Sequence, residues 1–257
     1  MEKFINILQF LTRIKVKNNV KYDPKLSTGI IYFPTVGAVI GIIITLLCLL
    51  SMKLLTFSGA SVLVAIIIVL AEVFITGGLH IDGLGDTFDG IFSYRSREEI
   101  LIIMKDSRLG TNGLLAIVFL ILIKVFILNV FIQKYIIWPI FLMPVVGRYV
   151  AVFLTYKTRP AKSSGMGNTF IGKCDIGTLL ACTSLVSIGI LVLSLVFTGD
   201  IVISFMSIIS IPILIFLSTM FQIGIYKKIG GLTGDVLGCS IELAELIFII
   251  YILIIVS

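Results

Sequence analysis

Seven apolar runs, each close to the length that crosses a bilayer, set what this 257-residue chain can fold into. They lie near 30–50, 57–76, 113–133, 135–156, 178–198, 201–224 and 240–256. A transmembrane helix needs roughly 20 consecutive apolar residues, and in lipid only helices and closed barrels satisfy their own backbone polar groups. The chain is 58% hydrophobic and 13% charged, whereas a soluble domain is nearer ~45–50% apolar. We therefore read an all-α, polytopic transmembrane bundle, a single integral-membrane domain over residues 1–257 whose standing partner is the lipid bilayer. The four cysteines form no C-x-x-C pair, so a disulfide framework is not expected.

Lysine and arginine give the orientation. With the N-terminus in the cytoplasm, segments 1–29, 77–112, 157–177 and 225–239 face inward and hold 16 of the 20 basic residues. The outer loops hold Lys53 and Lys134, and Lys124 and Arg148 fall within spans. Such an asymmetry follows the positive-inside rule. It also accounts for the net charge of +6 without a nucleic-acid partner. Segment 1–29 reads as a basic interfacial stretch, its first part amphipathic from Phe4 to Leu11. The glycine-rich and acidic segments all lie on the inward side, which suits an enzyme working at one membrane face, the cytoplasmic one.

Residues 77–90 carry three carboxylates and the chain's single histidine among glycines: Gly77-Gly78-Leu79-His80-Ile81-Asp82-Gly83-Leu84-Gly85-Asp86-Thr87-Phe88-Asp89-Gly90. In a helix, Asp82, Asp86 and Asp89 at i, i+4 and i+7 share an arc of about 60°. Carboxylates so placed repel unless a cation or protons intervene. Oxygen-only ligands select a hard ion, Mg2+ where phosphate groups complete the coordination. A solvated acidic face would leave the flanking glycines unexplained, because solvated helices avoid them. His80 could serve as a general base or hydrogen-bond a neighbour.

Three further constellations lie on the same side. Lys105-Asp106-Ser107-Arg108-Leu109-Gly110-Thr111-Asn112-Gly113 offers cations, hydroxyls and open backbone to a phosphate. Arg148, near the inner end of a span, could snorkel or bind phosphate, and the loop Thr158–Phe170 after it is basic and rich in glycine and serine. Gly230-Gly231-Leu232-Thr233-Gly234-Asp235 opens the last span and echoes Gly77-Gly78-Leu79-x-x-Asp82. Thr233 and Asp235 suit either a helix cap or the far wall of a site shared with the aspartate stripe. Glu72, Glu242 and Glu245 sit in or beside apolar runs, where charge is expensive and commonly functional.

The aspartate segment resembles the signature of the cobalamin (5'-phosphate) synthases, the adenosylcobinamide-GDP ribazoletransferases. Phe10-Leu11-Thr12-Arg13-Ile14, Asp106-Ser107-Arg108-Leu109-Gly110-Thr111 and Gly231-x-Thr233-Gly234-Asp235-Val236-Leu237-Gly238 are similar to the family's other blocks, in the family's order. The chain departs at Gly85, Phe88 and Cys239, none a candidate ligand. The resemblance implies transfer of α-ribazole, or its 5'-phosphate, onto adenosylcobinamide-GDP with loss of GMP. Mg2+ is the implied cofactor, on Asp82, Asp86 and Asp89. Lys105, Arg108, Gly110, Thr111, Arg148, Thr233 and Asp235 would contact substrate, and His80 or Asp89 would take the hydroxyl proton. A homo-oligomer is compatible with it. Competing readings are a CDP-alcohol phosphotransferase, which should show an Asp-Gly-x-x-Ala-Arg motif; a prenyltransferase, which should carry a second aspartate-rich motif; and an ion-coupled transporter. The transporter should show charged residues facing one another at mid-membrane from several helices.

Overall fold

The computed structural model describes residues 2–16 and 26–256. Eleven helices follow one another among them: α1 (Glu2–Leu11), α2 (Phe33–Leu54), α3 (Ala60–Thr76), α4 (Leu79–Ile91), α5 (Arg97–Ile103), α6 (Thr111–Gln133), α7 (Trp138–Thr155), α8 (Ile176–Thr198), α9 (Ile201–Ile208), α10 (Ser210–Ile229) and α11 (Gly234–Val256). Six segments are long and apolar enough to cross a membrane: Leu26–Leu54, Thr111–Gln133, Trp138–Thr155, Ile176–Thr198, Ile201–Ile229 and Gly234–Val256. The seventh belongs to α3 and α4, a pair bent by 89°. We read α3 as the span and α4 as lying crosswise outside it. The fold class expected from the apolar runs is the one observed.

Helix α7 is the hub. It is buried over nearly its whole length, packed between α2, α8 and α11, with Arg148 its one charged residue. Gly37 and Gly41, four residues apart on α2, let its backbone close on Pro144 and Phe141 of α7. Without a hydrophobic drive between helices in lipid, such close van der Waals contact is what holds spans together.

The bend between α3 and α4 has a plain cause. Gly77 (φ +66°) and Gly78 (φ +75°) both take the left-handed conformation, which glycine adopts without steric cost. Gly77 ends α3 with its N–H on the carbonyl of Phe74 at 3.2 Å, and α4 starts at once in a new direction. Residues 79–91, read from sequence as part of an inward segment, are thus a helix packed across α6 and α11.

Basic residues of this end satisfy carbonyls that the helix ends leave free. Lys228 Nζ donates to Ile91 O (2.7 Å), Arg97 Nε to Ile229 O (2.9 Å) and Arg159 Nε to Gly230 O (2.9 Å). Two isolated bridges, Tyr156–Cys174 and Pro160–Leu232, are the extended pairing among the described residues. The second fastens the loop after α7 to the segment before α11: Leu232 N–H donates to Arg159 O (2.9 Å) and Ala161 N–H to Leu232 O (2.8 Å). Helix α1 buries Ile7, Leu8 and Leu11, and its Phe10 ring lies 5.0 Å from that of Phe170 in the same loop. Residues 17–25 of the basic N-terminal stretch lie outside the described residues.

Candidate active site

Helices α4 and α11 meet at their N-terminal turns. A Cβ on Gly83 would stand 2.7 Å from the carbonyl oxygen of Asp235, and one on Gly238 would stand 3.3 Å from the Cα of His80. The absence of side chains at both positions lets the helices touch. Beside this contact lies a cavity of about 190 Å³. Its polar wall holds His80 and Asp82 from α4, Thr233 and Asp235 from the start of α11, and Lys162 and Asn168 from the loop after α7. Two helix N-termini facing one cavity supply free N–H groups and positive dipole ends, a setting that favours anions. The two Gly-Gly-Leu-x-x-Asp segments, distant in sequence, thus present their aspartates to one space.

The carboxylates divide between two tasks. Asp82 and Asp235 line the cavity, with Lys162 Nζ at 3.9 Å from Asp235 Oδ2. Asp86 lies one turn further along α4, and its carboxyl is pushed up to about 7 by burial first, then by the charges of Asp82, Asp235 and Asp89, against a smaller pull from Lys162. Asp89 is engaged elsewhere. It accepts the backbone N–H of Gly110 (2.7 Å) and of Gly113 (2.8 Å) and so caps α6, whose own N-cap residue is a glycine. The helical spacing of the stripe is therefore present, yet its last member turns to a neighbouring helix. Among the described residues no three His, Cys, Asp or Glu side chains are arranged to hold one metal ion. The two carboxylates that share the cavity, Asp82 and Asp235, nonetheless suit a hard cation: oxygen ligands only, in an excess of negative charge to which Asp86 adds. Thr233 caps α11, its Oγ1 accepting from Val236 N–H at 3.2 Å, while Asp235 in the first turn lines the cavity.

Below the cavity lies a buried ionic cluster from four helices. Lys124 Nζ donates to Glu245 Oε2 (2.6 Å), Glu242 Oε2 (2.7 Å) and Glu72 Oε2 (3.3 Å), which uses all three of its protons. Arg148 Nη1 donates to Glu245 Oε1 and lies 3.6 Å from Glu72 Oε1. Arg148 Nη2 lies 3.1 Å from His80 Nδ1. All five charged side chains are at least 96% buried, so Arg148 neither snorkels nor reaches the cavity. Burial, followed by the charges of Arg148 and Lys124, holds His80 well below its ordinary pKa. Charges facing one another from several spans are the feature that marks a transporter by sequence. Here they pair among themselves, and none of the five lines the cavity.

The second phosphate-binding candidate group stands apart. Arg108 pairs with Asp106 (2.5 Å) with its own side chain 89% exposed, and Lys105 does not line the cavity. The Gly110 N–H is bound to Asp89, and Thr111 begins α6. Lys162 and Lys124 are the residues the sequence reading missed. Lys162 sits in the basic Gly/Ser loop, and its chain distance from Asp235 hides their meeting. Lys124 carried a signal: a lysine in the middle of a span requires a buried partner.

Fold and site together define an integral membrane protein whose polar cavity lies at one end of its helical bundle, beside a buried ionic cluster. A family model described as Cobalamin-5-phosphate synthase matches residues 3–253. The chain belongs to that family. It is 49% identical to an adenosylcobinamide-GDP ribazoletransferase of Clostridioides difficile (strain 630), over 98% of this chain and 97% of the relative. A relative of the same name from Alkaliphilus metalliredigens (strain QYMF) is 41% identical over 99% of this chain and 96% of its own length. A third, from Fusobacterium nucleatum subsp. nucleatum, is 37% identical over 99% and 98%. No solved structure matches the chain.

Proposed function

We propose that this chain joins adenosylcobinamide-GDP to α-ribazole, or to α-ribazole 5'-phosphate, with release of GMP, in the last steps of cobalamin biosynthesis. The reaction would take place with Mg2+ at the cytoplasmic face of the inner membrane. The observation that carries the reading is the shared cavity: His80, Asp82, Lys162, Thr233 and Asp235 come to it from three segments of a chain that belongs to the synthase family. At about 190 Å³ the cavity is smaller than a site that encloses a drug-sized ligand, ~300–1,000 Å³. It suits the diphosphate and ribose, with the corrin ring lying outside.

Attack of a ribose hydroxyl that is free in both α-ribazole and its 5'-phosphate, on the phosphorus nearest the cobinamide, forms one P–O bond, and the P–O bond to GMP breaks. Such displacement depends chiefly on positioning and charge neutralisation. Lys162 and the N-terminal N–H groups of α4 and α11 hold the phosphate oxygens, and the hydroxyl proton passes to a cavity carboxylate, Asp82 or Asp235. Asp82 and Asp235, the two carboxylates that line the cavity, would hold Mg2+, which bound there offsets the negative charge of the diphosphate and of departing GMP. Coordination by one or two carboxylates completed by substrate phosphates is the usual protein mode for this ion, and needs no closed cage. The basic asymmetry supports the cytoplasmic placement.

Purified protein in lipid nanodiscs, given adenosylcobinamide-GDP and α-ribazole, is expected to release GMP only with both substrates and Mg2+. Release without α-ribazole would make the protein a hydrolase. Full turnover in excess EDTA would remove Mg2+ from the reading.

A further inference from the structure

His80 is the member of the site whose chemistry the buried cluster decides. His80 is among the residues that line the cavity and is 2% exposed. Nδ1 faces Arg148 Nη2 at 3.1 Å. A guanidinium has donors only and does not lose its proton in proteins, so Nδ1 must be the acceptor and carries no hydrogen. The proton of the neutral ring is therefore on Nε2, and Nε2 has no hydrogen-bond partner in the structure. A buried donor without an acceptor is costly, of the order of 1–3 kcal/mol, and calls for one. A general base needs the reverse arrangement, a bare nitrogen on the substrate side.

Arg148 cannot drift from this pose. Glu245 Oε1 holds Nη1, Glu245 Oε2 is held in turn by Lys124, and Glu72 Oε1 lies 3.6 Å from Nη1 on another helix. Along their helices the five charged residues lie about 6 to 20 Å from the ends nearest the cavity, at 1.5 Å per residue. The cluster is thus continuous from mid-bundle to the imidazole, and its last link is a donor placed against Nδ1.

We propose that His80 is a hydrogen-bond donor to a phosphoryl oxygen of the substrate, through Nε2–H, and that Arg148 is the positioning residue that fixes this tautomer. The proposal deepens the transferase reading and rests on it for the identity of the acceptor. A second donor beside Lys162, aimed at charge that grows as GMP leaves, serves the displacement as an oxyanion-hole donor serves acyl transfer. It also assigns the deep carboxylates a role in the chemistry without contact: they hold the arginine that orients the histidine.

His80 is the chain's only histidine, so protein labelled with 15N-histidine and purified without a histidine tag reports this ring alone. In the wild type, in nanodiscs near neutral pH, Nδ1 should give the signal of an unprotonated nitrogen and Nε2 that of an N–H. An imidazolium, or the opposite tautomer, would overturn the proposal, and this measurement needs no variant to fold and no substrate. Turnover of adenosylcobinamide-GDP with α-ribazole then tests the role. The amide of His80→Gln reaches the Nε2 position as a donor and should keep about a tenth of kcat. His80→Asn and His80→Ala should lose about 10²-fold or more, the effect of removing one preorganised donor. If Gln is as inactive as Ala, the donor role fails. Arg148→Gln should lower kcat with little change in KM and should cost no more when combined with His80→Gln; independent, additive losses would make Arg148 merely structural. A wild type that shows the stated tautomer but turns over neither substrate would sink the transferase reading alone.

Discussion

Replacing Lys124 with methionine tests how the bundle tolerates five charges inside it. Methionine keeps the length and much of the volume of the stem, so the change is chiefly one of charge. Lys124 and its partners are at most 4% exposed, so water screens little of the loss. With all groups ionised, three carboxylates and two cations carry a net charge of −1; without Lys124 the net is −2, gathered around Arg148. Removing one partner from a buried ion pair typically costs ~3–5 kcal/mol, because the remaining charge is left buried and unpaired. Counting bonds gives a similar range: three are lost, and interhelical hydrogen bonds in membrane proteins average ~0.6 and reach ~1.7 kcal/mol each. A loss of about 3 kcal/mol lowers Tm by about 6–12 °C in a chain of this size. The four cysteines, Cys48, Cys174, Cys182 and Cys239, are free and buried. A thiol-reactive fluorogenic dye therefore reads unfolding in detergent micelles directly. Adding Glu242→Gln removes one anion and returns the net charge to −1, and this double variant should recover at least half of the lost Tm. A single variant that melts with the wild type would refute the closed network. A double variant no better than the single one would show that charge compensation is not what holds it.

Asp235→Asn should fold, because Thr233 and not Asp235 caps α11, and should need at least about tenfold more Mg2+ for half-maximal GMP release; an unchanged Mg2+ requirement removes Asp235 from the metal. Asp89→Asn should instead lose ~1–2 kcal/mol of stability, since a charged acceptor of two N–H groups becomes a neutral one, while its Mg2+ requirement stays that of the wild type. Gly83→Ala would set a methyl 2.7 Å from the Asp235 carbonyl and should cost ~1–3 kcal/mol in thermal unfolding as α4 is pushed from α11, with activity falling as the cavity opens. Single cysteines placed at Lys105 and Lys173 should react with an impermeant thiol reagent only from the cytoplasmic side, and one at Lys134 only from outside; the reverse pattern would invert the membrane orientation.

What could be read from the sequence, and what could not, follows from the range over which each signal acts. A span announces itself within its own 20 residues, because the bilayer sets a length and every backbone group must be satisfied locally; α2, α6, α7, α8 and α11 were legible for that reason. The i, i+4, i+7 aspartates were legible as one helix face, but the direction in which α4 carries them depends on two glycines whose left-handed φ turns the chain by 89°. That Asp89 would cap α6 was not legible: its donors lie 21 and 24 residues away, beyond α5 and the two connections on either side of it, whose paths no periodicity describes. The ionic cluster is the more instructive case. Read one at a time, Lys124 is an oddity in an apolar run, Arg148 an anchor, and Glu72, Glu242 and Glu245 interfacial acids. Each such reading offers its residue a separate route to water. For five charged residues in or at the ends of four spans that requirement is hard to meet five times over, whereas three carboxylates and two cations of nearly balanced charge pair with one another without reaching water. Counting intramembrane charges of both signs together, before explaining any of them singly, is the step that brings Lys124 to Glu242 across 118 residues, and places Arg148 against His80.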